Sequence, residues 1–227
     1  MALSSLSSLI VAVAVLCVTA SASVIVFDQA PYDPELTSRN SNTIPNLGSD
    51  QQIADDLLVQ GPDREITRID LWFTCRSNAS PPPSQVLMVR FFDDAGGEPG
   101  AVVHNETHSV EPIPTGDGNA FDNNNAIYFA EIELFTPIIL NEGETYWLSP
   151  IGMIDSLTWQ WQLHDGTLRA HRARGGTGGP DWRSQSETSG EPLVGNFAFR
   201  LHAIPEPSIL ALLGLCAVAC GFRRTRR

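Results

Sequence analysis

Two stretches of strict period-two alternation limit the possible folds more than any other feature of the chain. In IDLWFTC, Ile69, Leu71, Phe73 and Cys75 fall on one face; in AIYFAEIELF, Tyr128, Ala130, Ile132 and Leu134 oppose Ile127, Phe129, Glu131 and Glu133. Successive side chains of a strand point to opposite faces, so this pattern builds strands with one buried face. Similar runs recur at VIVF, QVLMVRFF, AVVH, PIIL, TYWLSPI, LTWQWQLH and NFAFRLHA, separated by Gly, Pro, Asn and Asp clusters. Together they give roughly nine or ten strands of ordinary length. No segment keeps an apolar stripe at helical spacing for three turns, and there is no repeat of fixed period. Strands with one apolar face need a second sheet to cover them. The expected fold is therefore all-β: a single β-sandwich over residues 23–203, of jelly-roll type.

The two ends differ from this body. Residues 1–22 carry an apolar run from Leu9 to Val18 followed by Ala20-Ser21-Ala22, the pattern of a signal peptide cut by signal peptidase near Ser23. At the other end Pro205-Glu206-Pro207 precedes fourteen almost uninterrupted apolar residues, Ile209 to Phe222, and then Arg223, Arg224, Arg226 and Arg227. As a helix that run spans about 21 Å, short of a ~30 Å hydrocarbon core, so it reads as a transient membrane segment. The arginines act as a membrane stop and stay on the cytoplasmic side, which leaves the body outside. The two prolines keep the backbone before it extended and unpaired, a form that a processing enzyme can grip.

Charge and cysteine usage narrow the partners. The formal net charge is −12, lysine is absent, and between Val24 and Ala203 ten Arg face twenty-five Asp and Glu. A body this acidic repels phosphate backbones, which excludes nucleic acid as an expected partner. Of the four cysteines, Cys17 lies in the signal, Cys216 and Cys220 in the tail, and Cys75 in the body. One body cysteine cannot form an internal disulfide, so stability must come from packing, with no cofactor required.

Several clusters invite chemistry. HNETH sets His104 and His108 four apart around Glu106, but a zinc helix needs Glu directly after the first His, and on a strand the histidines would stand about 13 Å apart. His164, Asp165 and His171 are close in sequence without a Ser or Cys nucleophile motif, and they read as a polar hairpin or, in the rival reading, as the site of a secreted hydrolase. Two acidic loops, one with Asp93, Asp94 and Glu98 and one with Asp117, Asn119 and Asp122, offer the oxygen ligands that calcium prefers, although Asp-Asp-Ala-Gly-Gly is also ordinary turn chemistry. In LTWQWQLH, Trp159 and Trp161 share the face expected to lie inside. Trp182, in a Gly-rich loop, and Trp72, opposite the apolar face of its strand, remain as candidate platforms for stacking on sugar rings.

The tail resembles a known family. Ile204-Pro205-Glu206-Pro207-Ser208, the apolar run and the terminal arginines, in that order, look like the PEP-CTERM sorting signal of exopolysaccharide-producing Gram-negative bacteria. The resemblance implies recognition by a membrane-embedded exosortase, cleavage near the PEP motif, and delivery to the cell surface or extracellular matrix. The same tail also bears the description "ice-binding protein C-terminal domain", yet the body has no regular Thr-x-Thr ladder that would support ice binding. More loosely, QQIADDLLV, FFDDAGGEPG, LNEGETYWLSPIG, WQWQ and FAFRLHA resemble the β-sandwich domains common among proteins with this tail. The expected protein is a non-catalytic surface or matrix component. The rival expectations are a carbohydrate-binding module for exopolysaccharide, working through Trp182 or Trp72, and a secreted hydrolase.

Overall fold

The computed structural model describes residues 23–31, 38–40, 52–62, 64–76, 84–119, 125–153, 158–162, 171–174, 181–184 and 196–204. Among them thirteen strands occur in chain order: β1 (Val24–Gln29), β2 (Ser38–Asn40), β3 (Gln52–Leu58), β4 (Arg64–Arg76), β5 (Gln85–Asp94), β6 (Pro99–Val110), β7 (Ile113–Asn119), β8 (Asn125–Leu140), β9 (Thr145–Gly152), β10 (Thr158–Gln162), β11 (His171–Arg174), β12 (Arg183–Ser184) and β13 (Phe199–Ala203). The signal segment, the PEP motif, the apolar run and the arginine cluster lie outside the described residues. Residues Ile25–Ala203 make one compact unit.

The strands form two antiparallel sheets, and every register recorded between them is antiparallel. In the first, β4 pairs with β8 along one side, and β7 pairs beyond β8. The other side of β4 is shared: β13 takes Ile66 to Leu71, and β10 takes Phe73 to Arg76. Outside these two stand β1 and β2 respectively. The second sheet has the order β12-β11-β3-β9-β5-β6.

Alternation decides which faces meet. Ile69, Leu71 and Phe73 of β4 are fully buried, as are Leu87, Val89 and Phe91 of β5, while Glu131 and Glu133 of β8 point to water. One apolar cluster draws on both sheets: Ile66 to Phe73, Ala130 to Leu140, Trp161, Phe199 and Leu201 come from the first, and Ile53, Leu57, Leu87 to Phe91, Val110 and Leu148 from the second. This common core is what makes the two sheets a sandwich.

Three expectations change in detail. AIYFAEIELF and PIIL, expected as two strands, form one 16-residue β8. Between Ile66↔Ile138 and Arg68↔Glu133 the register shifts, so Leu134 to Pro137 oppose Thr67 alone. Pro137 has no N–H to give a ladder, and the chain bulges there instead of ending. AVVH, expected as four residues, extends into a 12-residue strand that takes in HNETH. The loop GDGN joins β7, whose recorded pairing is with β8 alone.

A buried carboxylate fastens the two sheets where the first is irregular. Asp55 of β3, fully buried between Ile53 and Leu57, accepts the Phe197 N–H across the sandwich at 2.9 Å. The Gln29 amide, oriented to donate, reaches Phe197 O at 2.9 Å and Asp55 Oδ2 at 3.2 Å. Phe197 precedes β13 and lies outside its β4 pairing, so its buried N–H needs a partner from elsewhere.

Candidate functional site

The strongest cluster of titratable side chains is the one that spacing alone discounted. On β6, His104, Glu106 and His108 alternate with exposed residues and so share one face. His104 Nε2 lies 3.4 Å from one Glu106 oxygen and His108 Nε2 3.0 Å from the other. The same carboxylate accepts the Phe135 and Thr136 N–H groups, each at 2.8 Å. Those two donors sit in the β8 bulge, where β4 no longer pairs with them. Burial pushes the Glu106 carboxyl up, but the two backbone donors and then the two imidazoles outweigh it and hold it below the usual carboxylate range. The histidines aim at the carboxylate between them and not at a common point. Among the described residues no group of three His, Cys, Asp or Glu has the geometry to hold a metal ion.

A second network covers the outer face of the first sheet. His202 Nε2 lies 2.8 Å from Asp70 Oδ2, and both side chains are almost completely buried. The Arg68 guanidinium reaches Asp70 at 3.1 Å and the two nitrogens of the His202 ring at 3.0 and 3.3 Å. Its far side faces Glu131 at 3.6 Å. An Asp–His pair can orient an imidazole as a base. Here, however, the Arg68 guanidinium lies against the ring, and it does not give up a proton at ordinary pH. Arg68, Asp70 and Trp72 alternate on β4 opposite Ile69, Leu71 and Phe73, while His202 comes from β13, paired with Arg68. The alternation in IDLWFTC already put the β4 members on one face. The distant β13 partner was invisible in the sequence.

Trp72 extends that face. Its ring lies 5.0 Å from Phe129, and Arg200 stands over it at 5.2 Å while pairing with Asp28 at 2.8 Å. Trp182 is half-buried, edge-on to Phe92 at 5.5 Å, and closes a small cluster of Ala54, Phe92 and Trp147 on the second sheet's outer face. Both indoles therefore pack against protein side chains.

The first acidic loop is a tight turn. Asp94 accepts the Gly96 and Gly97 N–H groups at 3.1 Å and the Trp147 indole N–H at 2.8 Å, while Asp93 accepts the Ala101 N–H. Gly96 and Gly97 have φ of 78° and 90°, a conformation that favours glycine. The Glu98 side chain is exposed, with its backbone carbonyl bonded by Ala95 N–H. Of the second loop, Asp117 and Asn119 fall in β7, and Asp122 lies outside the described residues. His164 and Asp165 also lie outside them; His171 belongs to β11, paired with Asp55.

At one end of the sandwich a cleft of about 680 Å³ opens between β1 and β3, lined by Val26, Phe27, Leu57, Asp56, Arg64 and Leu140 among others. It mixes apolar walls with charged side chains.

These features define a class: a two-sheet antiparallel domain whose last core strand ends at the buried Ala203 and continues directly into a sorting tail. Residues 203–227 match the family described as the PEP-CTERM protein-sorting motif. The chain is thus an exported protein that carries an exosortase sorting signal for delivery to the cell surface. No curated protein matches the chain.

Proposed function

We propose that the protein is a non-catalytic structural or adhesive component of the outer surface or exopolysaccharide matrix of a Gram-negative bacterium, and that its body is a jelly roll. The observation that carries the first part is the sorting motif beginning at Ala203, the last residue of the core. With no spacer between body and tail, the tail serves as an address for a body that already ends in its own last strand. The jelly-roll reading is supported by strand order. Taking β1, β3, β4, β5, β6, β8, β9 and β13 as an eight-strand frame, the first sheet holds members one, eight, three and six, and the second holds two, seven, four and five. That is the order in which a jelly roll winds its two Greek keys. Fold alone assigns no activity.

Mass spectrometry of the mature surface protein should find a C-terminus within or just after Pro205-Glu206-Pro207 and no peptide from Ile209 to Arg227. Recovery of a surface form that keeps the arginine cluster would overturn the sorting reading and leave a permanent anchor.

The same reading gives Trp72 and Trp182 packing roles. Trp182→Ala should lower the melting temperature by several degrees, since it uncovers Phe92 and Trp147, and should leave retention on exopolysaccharide columns unchanged. Binding to such a column that is lost in this variant or in Trp72→Ala would favour a carbohydrate-binding module instead. Turnover of a glycan or ester by the mature protein would favour a hydrolase.

A further inference from the structure

Strand β6 ends the second sheet, and among the described residues it pairs only with β5. An open edge of this length is a template for another strand, and proteins that must stay monomeric blunt such edges with lysines, prolines, bulges or inward charges. This chain contains no lysine at all. The one proline in β6 is its first residue, Pro99, and the irregularities in its ladder lie beyond His104, toward that end. From His104 to Val110 the register against β5 is unbroken. Asn105, Thr107 and Ser109 are exposed along that stretch. Beside it Phe135 is 75% exposed, its ring stacked on His108 with centroids 4.4 Å apart. The one inward charge, Glu106, is held between two histidines.

We propose that this edge is a homotypic assembly surface, at which β6 of one copy pairs antiparallel with β6 of a second about a two-fold axis at Thr107. The register follows from complementarity. Centred on Thr107, the regular stretch uses all its residues: Thr107 meets its own mate, Asn105 meets Ser109, and Glu106 meets His108. Thr–Thr, polar and acid–imidazole pairs across antiparallel strands are each favourable. Centred on Glu106, the same strands would set two carboxylates against each other. Centred on Asn105, they would run into the irregular stretch beyond His104. The two-fold contact is isologous and closes at two copies, joining two six-stranded sheets into one. Each Phe135 stands at the rim of this contact and is covered by it, which accounts for its exposed aromatic ring.

The inference deepens the structural reading of the preceding section, and its test separates the two. In the full exported protein, Thr107→Cys should give a disulfide-linked dimer on non-reducing gels, because opposite residues bring their Cβ atoms to about 5 Å. Asn105→Cys should not, since its symmetry mate lies about 13 Å along the strands. The parent, with Cys75 as its one body cysteine, gives the background. Thr107→Lys combined with Ser109→Lys, both at exposed positions, should weaken dimerisation in sedimentation at least ~10-fold by placing like charges opposite, with the melting profile of the monomer retained. Equal cross-linking at positions 105 and 107, or none at 107, would overturn the register. A monomer at the highest soluble concentration would overturn the assembly, and C-terminal trimming of that monomer would leave the sorting reading intact.

Discussion

Trp161→Ala is expected to cost about 4 kcal/mol of folding free energy, the range for deleting a buried large aromatic side chain. Trp161 is fully buried, stacks on Phe197 at 4.5 Å, touches Phe199 at 5.8 Å, and donates its indole N–H to Ala198 O at 3.0 Å. It sits where the side of β4 changes partner from β13 to β10, so its removal opens a cavity at that junction of the first sheet. In a domain of this size the loss corresponds to a fall in melting temperature of about 10 °C. Trp161→Phe keeps most of the volume and removes the indole donor, leaving the buried Ala198 carbonyl with the longer bond from Trp72 N–H at 3.4 Å, at a cost of about 0.5–1.5 kcal/mol. Chemical denaturation of the two variants beside the parent checks the order. An alanine variant within about 1 kcal/mol of the parent would mean that Trp161 does not hold this junction.

The same residue shows how far the sequence could be read. LTWQWQLH put Trp161 inside by alternation alone, and it is inside. The sorting tail was equally legible, because its information is a short linear order of two prolines, an apolar run and arginines, and residues 203–227 match the motif. Contacts made by residues far apart in the chain were not legible. His202 meets Asp70 across a separation of 132 residues, and Asp55 meets Phe197 across 142. Nothing local announces either pair. HNETH is a different case. The distance between its histidines speaks against a chelate, and among the described residues there is none. The third participant, the pair of N–H groups released by the β8 bulge, comes from a segment expected to contain two separate strands.

That bulge gives Glu106 the second large expected effect. Glu106→Gln should destabilise the protein by about 2–3 kcal/mol at pH 7, since one amide oxygen cannot replace a carboxylate shared by two backbone donors and two imidazoles. The variant's NH₂ group would also face donors. The pH dependence distinguishes a charge effect from simple loss of shape. The folded-state pKa of Glu106 is depressed, so the unfolded chain takes up its proton first as the solution is acidified. The stabilisation is fully present above the unfolded value, about 4.3, and is lost as pH falls through the lower folded value. The gap between parent and variant should therefore be present at pH 7 and close progressively below about pH 4, as the parent's own carboxyl is protonated. The other carboxylates are common to both proteins and cancel in the difference. Urea denaturation of the pair at pH 7, 5 and 3 measures it. A gap of the same size at pH 3 as at pH 7 would mean that Glu106 acts by its volume alone and that its charge does not hold the two sheets together at the bulge.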